Sequence, residues 1–326
     1  MKIQELRTLL SASDRAHLEK AFAECYKQLR KAQKEEIDSV LIGILEGKSM
    51  EKKKTGDSID FEELEQQITA FMKNAYDQNY FVPNRIIPKS QRPKWRFMVK
   101  NFIKELEKIP PENDNYQKAV KLLTDLYQLI CEACNYYLFS TDDPFRSIGW
   151  EQPAFFELLV KKTFAAGYSR ENISLLLLYA TTGGLSREAL HVYQEIILLN
   201  SLKTSDVSYM AMEEAKKLID ERTKKLSSLQ KYDSQRYYLE SEIDELCSMI
   251  LLTAIKLAEP EQGIDYYFKH STRTDKEITL YRALDLISRI DDNDLWMKVY
   301  EYGIQKKIKP RDDLIRTYEK LKKEIP

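Results

Sequence analysis

Apolar residues recur along most of this chain at intervals of three and four, the spacing that gathers them on one face of an α-helix. Leu18, Phe22, Cys25 and Leu29 form an early stripe, and Phe61, Leu64, Ile68, Phe71, Met72 and Ala75 form a second. Trp95, Met98, Val99, Phe102, Ile103 and Leu106 make a third, on a segment whose other flank carries Arg96, Lys100 and Lys104. The longest stripe runs through Tyr116, Ala119, Val120, Leu123, Leu126, Tyr127, Ile130, Ala133, Cys134 and Tyr137, and predicts a helix buried along its whole length.

Residues that cap or break a helix mark the boundaries. Ser13 is expected to cap a second helix after Ile3–Leu10, because its hydroxyl can accept a bond from a first-turn amide. A short apolar segment, Ile37–Leu45, is expected to be helical as well. Asp60 with Glu63 opens the next helix, and Pro83, Pro88 and Pro93 keep it from running through the following loop. Pro93 itself suits a first helical turn, where a missing amide costs nothing. Pro153 can open the helix that carries Phe155, Phe156, Leu159 and Val160.

From Tyr168 the helices shorten and pair. Ser169 caps one through Leu175, Leu176 and Tyr179, Thr181–Gly184 turns the chain, and Ser186 starts another through Ala189, Leu190, Tyr193 and Ile197. Two long helices, near Ser205–Leu226 and Asp233–Leu257, precede four shorter ones near Glu261–His270, Asp275–Ile290, Asn293–Lys307 and Pro310–Lys323. A helix of about ten to fifteen residues cannot bury its stripe alone, and short connections press it against its sequence neighbour. The pattern therefore predicts an all-α chain built as an irregular α-solenoid of stacked helical hairpins, with a single irregular multi-helix domain as the alternative. Leu175–Tyr193, with Gly183, Ala189 and Tyr193, resembles tetratricopeptide-type hairpins in texture, although no full repeat consensus recurs.

Composition divides this array. Residues 1–47 are expected to form a small N-terminal helical unit, and 48–59, with Lys52, Lys53, Lys54 and Gly56, a flexible linker. Residues 60–167 make a central long-helix unit with a basic, proline-rich loop, and 168–326 the hairpin repeat-like region. With 9 glycines and 10 prolines in 326 residues, turn formers are scarce, which favours long helices. The formal charge of -1 excludes a strong overall field, so any polyanion must be held by a local patch. No run is long and apolar enough for a membrane span; Leu246–Ala258 comes nearest and is interrupted by Ser248, Thr253 and Lys256. Four scattered cysteines do not make a disulfide framework, and a cytoplasmic setting is the expectation.

Little of the chain suggests chemistry. Cys131 and Cys134 form a C-x-x-C pair, but deep inside a predicted helix and without a second pair or nearby histidine to complete a zinc site. His17, His191 and His270 are dispersed, and His191 is expected in a surface ion pair with Glu188 and Glu195. Asp142 and Asp143, and Asp291, Asp292 and Asp294, fit helix capping better than cation binding. The pairs Tyr136–Tyr137, Tyr237–Tyr238 and Tyr266–Tyr267 are expected to fill grooves between helices. No catalytic, cofactor or metal residue is assigned.

One stretch stands apart. Between Asp77 and Glu105 no acid occurs, while Arg85, Lys89, Arg92, Lys94, Arg96, Lys100 and Lys104 are interleaved with Tyr80, Phe81 and Trp95. Cations one helical turn apart repel by about 0.2 to 0.5 kcal/mol per pair, so internal carboxylates, solvent or a partner must offset them. The partner-binding candidates are Arg85, Lys89, Arg92, Lys94, Trp95, Arg96, Lys100 and Lys104. The expected function is a non-enzymatic scaffold that binds a protein partner through an inter-helix groove. The alternative is a nucleic-acid-binding helical-repeat module that uses the basic aromatic stretch 80–104.

Overall fold

The computed structural model describes residues 3–29, 34, 38, 41, 42, 45, 60–84 and 86–324. Every regular element among them is helical. The chain divides into two compact units, Met1–Ile59 and Asp60–Pro326. The predicted linker 48–59 lies almost entirely outside the described residues, as does most of Ile37–Leu45.

In the first unit, α1 spans Ile3–Ala12 and α2 spans Arg15–Gln28. Asp14, not Ser13, caps α2: its carboxylate accepts from the His17 amide at 2.9 Å, while the Ser13 hydroxyl donates back to Leu9 O. A carboxylate at this position also meets the positive end of the helix dipole, which favours it over a hydroxyl. The expected core stripe is not buried, and Phe22 is 50% exposed.

The second unit holds the core. Helix α3 (Phe61–Tyr76) is capped by Asp60 and buries Leu64, Ile68, Phe71 and Ala75. A single 3-10 turn, Arg92–Lys94, leads into α4 (Trp95–Lys108), which buries Trp95, Val99, Phe102, Ile103 and Leu106. Helix α5 (Tyr116–Asn135) lies buried from Tyr116 to Ala133 and packs against α3, α4 and α7. Between these lies the short α6 (Pro144–Ile148), closed by Gly149 at φ +69, a left-handed conformation that glycine adopts without a Cβ penalty. Helix α7 is Gln152–Ala165 and α8 is Arg170–Thr181.

Helix α9 begins at His191, five residues later than Ser186 predicts. Ser186 is captured elsewhere: its amide donates to Gln152 Oε1 at 2.8 Å, and its hydroxyl donates to Asp143 Oδ2 at 2.8 Å. These bonds hold the segment as a turn instead of a helix. The chain continues through α10 (Ser205–Ser228), α11 (Gln235–Lys256), α12 (Pro260–His270), α13 (Lys276–Ser288), α14 (Asn293–Gln305) and α15 (Asp312–Glu324). Each packs mainly on helices one to three places away in the chain.

Candidate docking ridge and adjoining cavity

Helix α4 has a buried face and a basic one. Arg96 and Lys104 are exposed and Lys100 is half-buried, its Nζ resting 3.4 Å from where a Cβ at Gly149 would stand. Lys89 and Lys94 are exposed in the loop just before the helix. Among the described residues none of these five cations lies within salt-bridge distance of a carboxylate, whereas Lys108 at the end of the same helix pairs with Glu105 at 2.6 Å. Three large apolar side chains stand open in the same loop and helix: Val82, Ile86 and Phe97, the last 63% exposed. The Arg96 guanidinium sits 5.8 Å from the Phe97 ring centroid.

Two of the sequence candidates also serve the architecture. Trp95 is buried and stacks on Phe139 with ring centroids 4.0 Å apart, which pins the start of α4 to the turn after α5. Arg92 donates from Nε to Ile87 O and from Nη1 to Val82 O, both at 2.8 Å, so it ties the basic loop to itself. Arg85 lies outside the described residues. The loop is fastened to the 136–140 segment as well: Phe81 stacks on Tyr137 at 5.5 Å, and the Val82 amide donates to Ser140 Oγ at 2.8 Å.

Beneath the loop a cavity of about 260 Å³ opens, lined by Tyr80, Val82, Arg92, Pro93, Trp95, Arg96, Ser140, Thr141 and Ser147. It brings together residues from two stretches some fifty positions apart, and among the described residues no acid lines it. Burial raises the Tyr80 phenol above its ordinary range, so the hydroxyl keeps its proton. A larger cavity of about 630 Å³ is lined among others by Asp143, Arg146, Gln152, Ser186 and Glu188. Its central polar groups already bond one another, through Asp143–Ser186 and Gln152–Ser186.

The other candidates resolve into structure. Asp143 caps α6 through the Arg146 amide, and Asp142 pairs with Arg187 at 2.7 Å. Asp292 caps α14 through the Leu295 amide. Cys131 is buried, and burial pushes its thiol well above the ordinary range, with Cys134 pushed up to about 12. Such thiols stay protonated and are poor nucleophiles. His191 is not in a surface ion pair: its ring lies against Ala180 O at 3.2 Å, and Glu195 is fully buried. Tyr136, Tyr137, Tyr237 and Tyr238 are exposed; of the three pairs, only Tyr266–Tyr267 sits between helices.

Comparison of the chain with protein-family models, curated proteins and solved structures finds no match.

Proposed function

We propose that this chain is a helical binding module, not an enzyme, that docks an acidic segment of a partner protein along the α4 ridge and the loop before it. The observation that carries this is a set of cations with no carboxylate partner among the described residues, Lys89, Lys94, Arg96, Lys100 and Lys104, standing beside exposed Val82, Ile86 and Phe97. Charge complementarity supplies the orientation, and the apolar side chains supply area that water leaves on binding. This moves the expected docking surface from an inter-helix groove to a ridge. An irregular α-solenoid is the architecture we infer for the second unit, supported by helices that pack on near neighbours in the chain.

A nucleic acid is the second candidate. Arg96, Lys100 and Lys104 recur every four residues, about 6 Å along the helix axis, which suits a row of phosphates. Two features favour protein. Of the three open apolar side chains only Phe97 carries a ring that a base could stack on, and a net charge of -1 gives no long-range pull on a polyanion. Titration with an acidic peptide containing leucines and with a single-stranded oligonucleotide separates the two. The peptide is expected to bind, and the triple variant Arg96→Glu, Lys100→Glu, Lys104→Glu is expected to lose it. Oligonucleotide affinity that falls steeply with salt, with no peptide binding, would reverse the assignment.

A further inference from the structure

The cavity under the basic loop is rich in hydrogen-bond donors, and among the described residues no carboxylate lines it. Tyr80 and Trp95 line it, 5% and 4% exposed respectively, and neither the phenol nor the indole N–H has a hydrogen-bond partner among the described residues. Neither atom is sealed from solvent, so both are open to a ligand. Arg92 spends Nε and Nη1 on backbone carbonyls, which leaves Nη2, and Arg96 spends only Nε, on Pro93 O at 3.1 Å. Ser140 Oγ accepts the Val82 amide, so its own proton remains to be donated. Thr141 and Ser147 share a hydroxyl contact of 2.7 Å at the opposite wall.

Arg92, Arg96, Trp95, Tyr80 and Ser140 line one space, and among the described residues no carboxylate lines it. That inventory suits a compact anion with several acceptor oxygens. A carboxylate presents two oxygens and one charge, whereas a phosphate monoester presents three terminal oxygens and nearly two charges, and planar guanidinium groups match it well. Arg96 belongs both to this wall and to the α4 ridge, so an anion seated here would be continuous with an acidic chain lying along the helix.

We propose that this cavity receives a phosphate monoester carried on a phosphorylated side chain of the acidic partner, an inference that rests on the docking function given above. The ridge then reads the flanking acids, and the cavity reads whether the partner is phosphorylated.

The test follows the indole N–H resonance of Trp95 in the full ¹⁵N-labelled chain, assigned by its persistence in Trp150→Phe and Trp296→Phe variants. Inorganic phosphate is expected to shift it saturably, and Arg96→Gln to weaken that response by about tenfold or more, the loss of a charge-assisted bond. Arg96 is exposed, so its removal leaves the core intact, and an unchanged melting temperature checks this. A short acidic peptide bearing one phosphoserine is expected to bind at least about tenfold more tightly than its serine counterpart. Equal affinity of the two peptides, or a Trp95 resonance that ignores phosphate, would overturn the cavity assignment. If both peptides still bind and both are lost on Lys100→Glu with Lys104→Glu, the docking function survives that failure. A response to 5′-phosphorylated oligonucleotide but to neither peptide would also overturn it, by assigning the phosphate to nucleic acid.

Discussion

Lys162 and Lys256 make the same contact at two places in the chain. Lys162 Nζ donates to Glu107 O and Ile109 O at 2.5 and 2.7 Å; Lys256 Nζ donates to Leu199 O and Leu202 O at 2.5 and 2.6 Å. In each case the lysine sits near the end of one helix and holds the end of another that lies 53 to 57 residues earlier, with a long helix between them. The last carbonyls of a helix lack intrahelical donors, and an ammonium both satisfies them and opposes the negative end of the dipole. The first latch spans α5 and the short α6, and the second spans α10 alone. Replacing either lysine by methionine keeps the apolar stem and removes the donors. Urea unfolding of Lys162→Met or Lys256→Met is expected to show a loss of about 1 to 3 kcal/mol. A change within about 0.5 kcal/mol would mean that water serves those carbonyls equally well.

Gly184 has no room for a side chain. A Cβ there would overlap the Cys131 carbonyl oxygen and stand 3.0 Å from Cys134 Cβ. Gly184 O also accepts from Gln152 Nε2 at 3.1 Å, so the turn cannot withdraw without breaking a buried bond. Gly184→Ala is therefore expected to cost at least about 1 to 3 kcal/mol, the range of an overpacked core. Gly167→Ala serves as the comparison: its φ is +111 but nothing lies within 4 Å of the added carbon, so backbone strain acts there without a clash.

Burial sorts the four cysteines. Cys131, Cys134 and Cys247 all have thiols raised by desolvation, while Cys25 is exposed on α2. Alkylation of the native chain at pH 8 with peptide mapping is expected to label Cys25 first and the other three only under denaturing conditions. Rapid labelling of Cys131 or Cys134 would show that α5 opens, and would restore a redox role for the pair.

Phe97 separates docking from stability. It is 63% exposed on α4, so Phe97→Ser should leave the unfolding midpoint nearly unchanged, within about 0.5 kcal/mol. Affinity for a leucine-containing acidic peptide should fall several-fold, because that exposed ring is apolar area available to the partner. Unaltered affinity would confine recognition to charge.

Much of this architecture was legible in the stripes. Trp95 to Leu106 and Tyr116 to Ala133 are buried where their spacing predicts, because a helix with one apolar face has a single way to hide it. What escaped was set by distant residues. Ser186 has every local mark of a cap, yet Asp143 and Gln152, more than thirty residues away, bind it into a turn. Tyr237 and Tyr238 sit at the outer end of α11, where no neighbouring helix covers them. The donor cavity needed Tyr80, Arg96 and Ser147 to meet, and no periodicity announces that meeting; the short hydroxyl run Ser140–Thr141 was its one local signal.

Glu195 was also misplaced by its polarity, and its burial makes the last prediction. It lies on α9 with no exposure, and as a carboxylate neither oxygen has a hydrogen-bond partner among the described residues. Desolvation, then the neighbouring Glu245 carboxyl on α11, push its pKa well above the ordinary range, opposed only in part by Arg282 on α13. Once protonated, Glu195 can donate to Glu245, so the folded state prefers the neutral acid. The sign follows. A raised folded pKa gives a contribution that is full below the ordinary carboxylate value near 4.5 and is lost as pH climbs through the raised value. Glu195→Gln removes the titration and keeps a donor toward Glu245. The variant should therefore gain on the wild type as pH rises from about 5 to 8, by about 1 to 3 kcal/mol at the upper end. His191, lowered by burial and close enough to feel Glu245, titrates in the same core, so the comparison is repeated in His191→Gln to isolate the glutamate. Parallel stability curves for wild type and Glu195→Gln across that range would mean that the buried carboxyl finds a compensating charge when ionised.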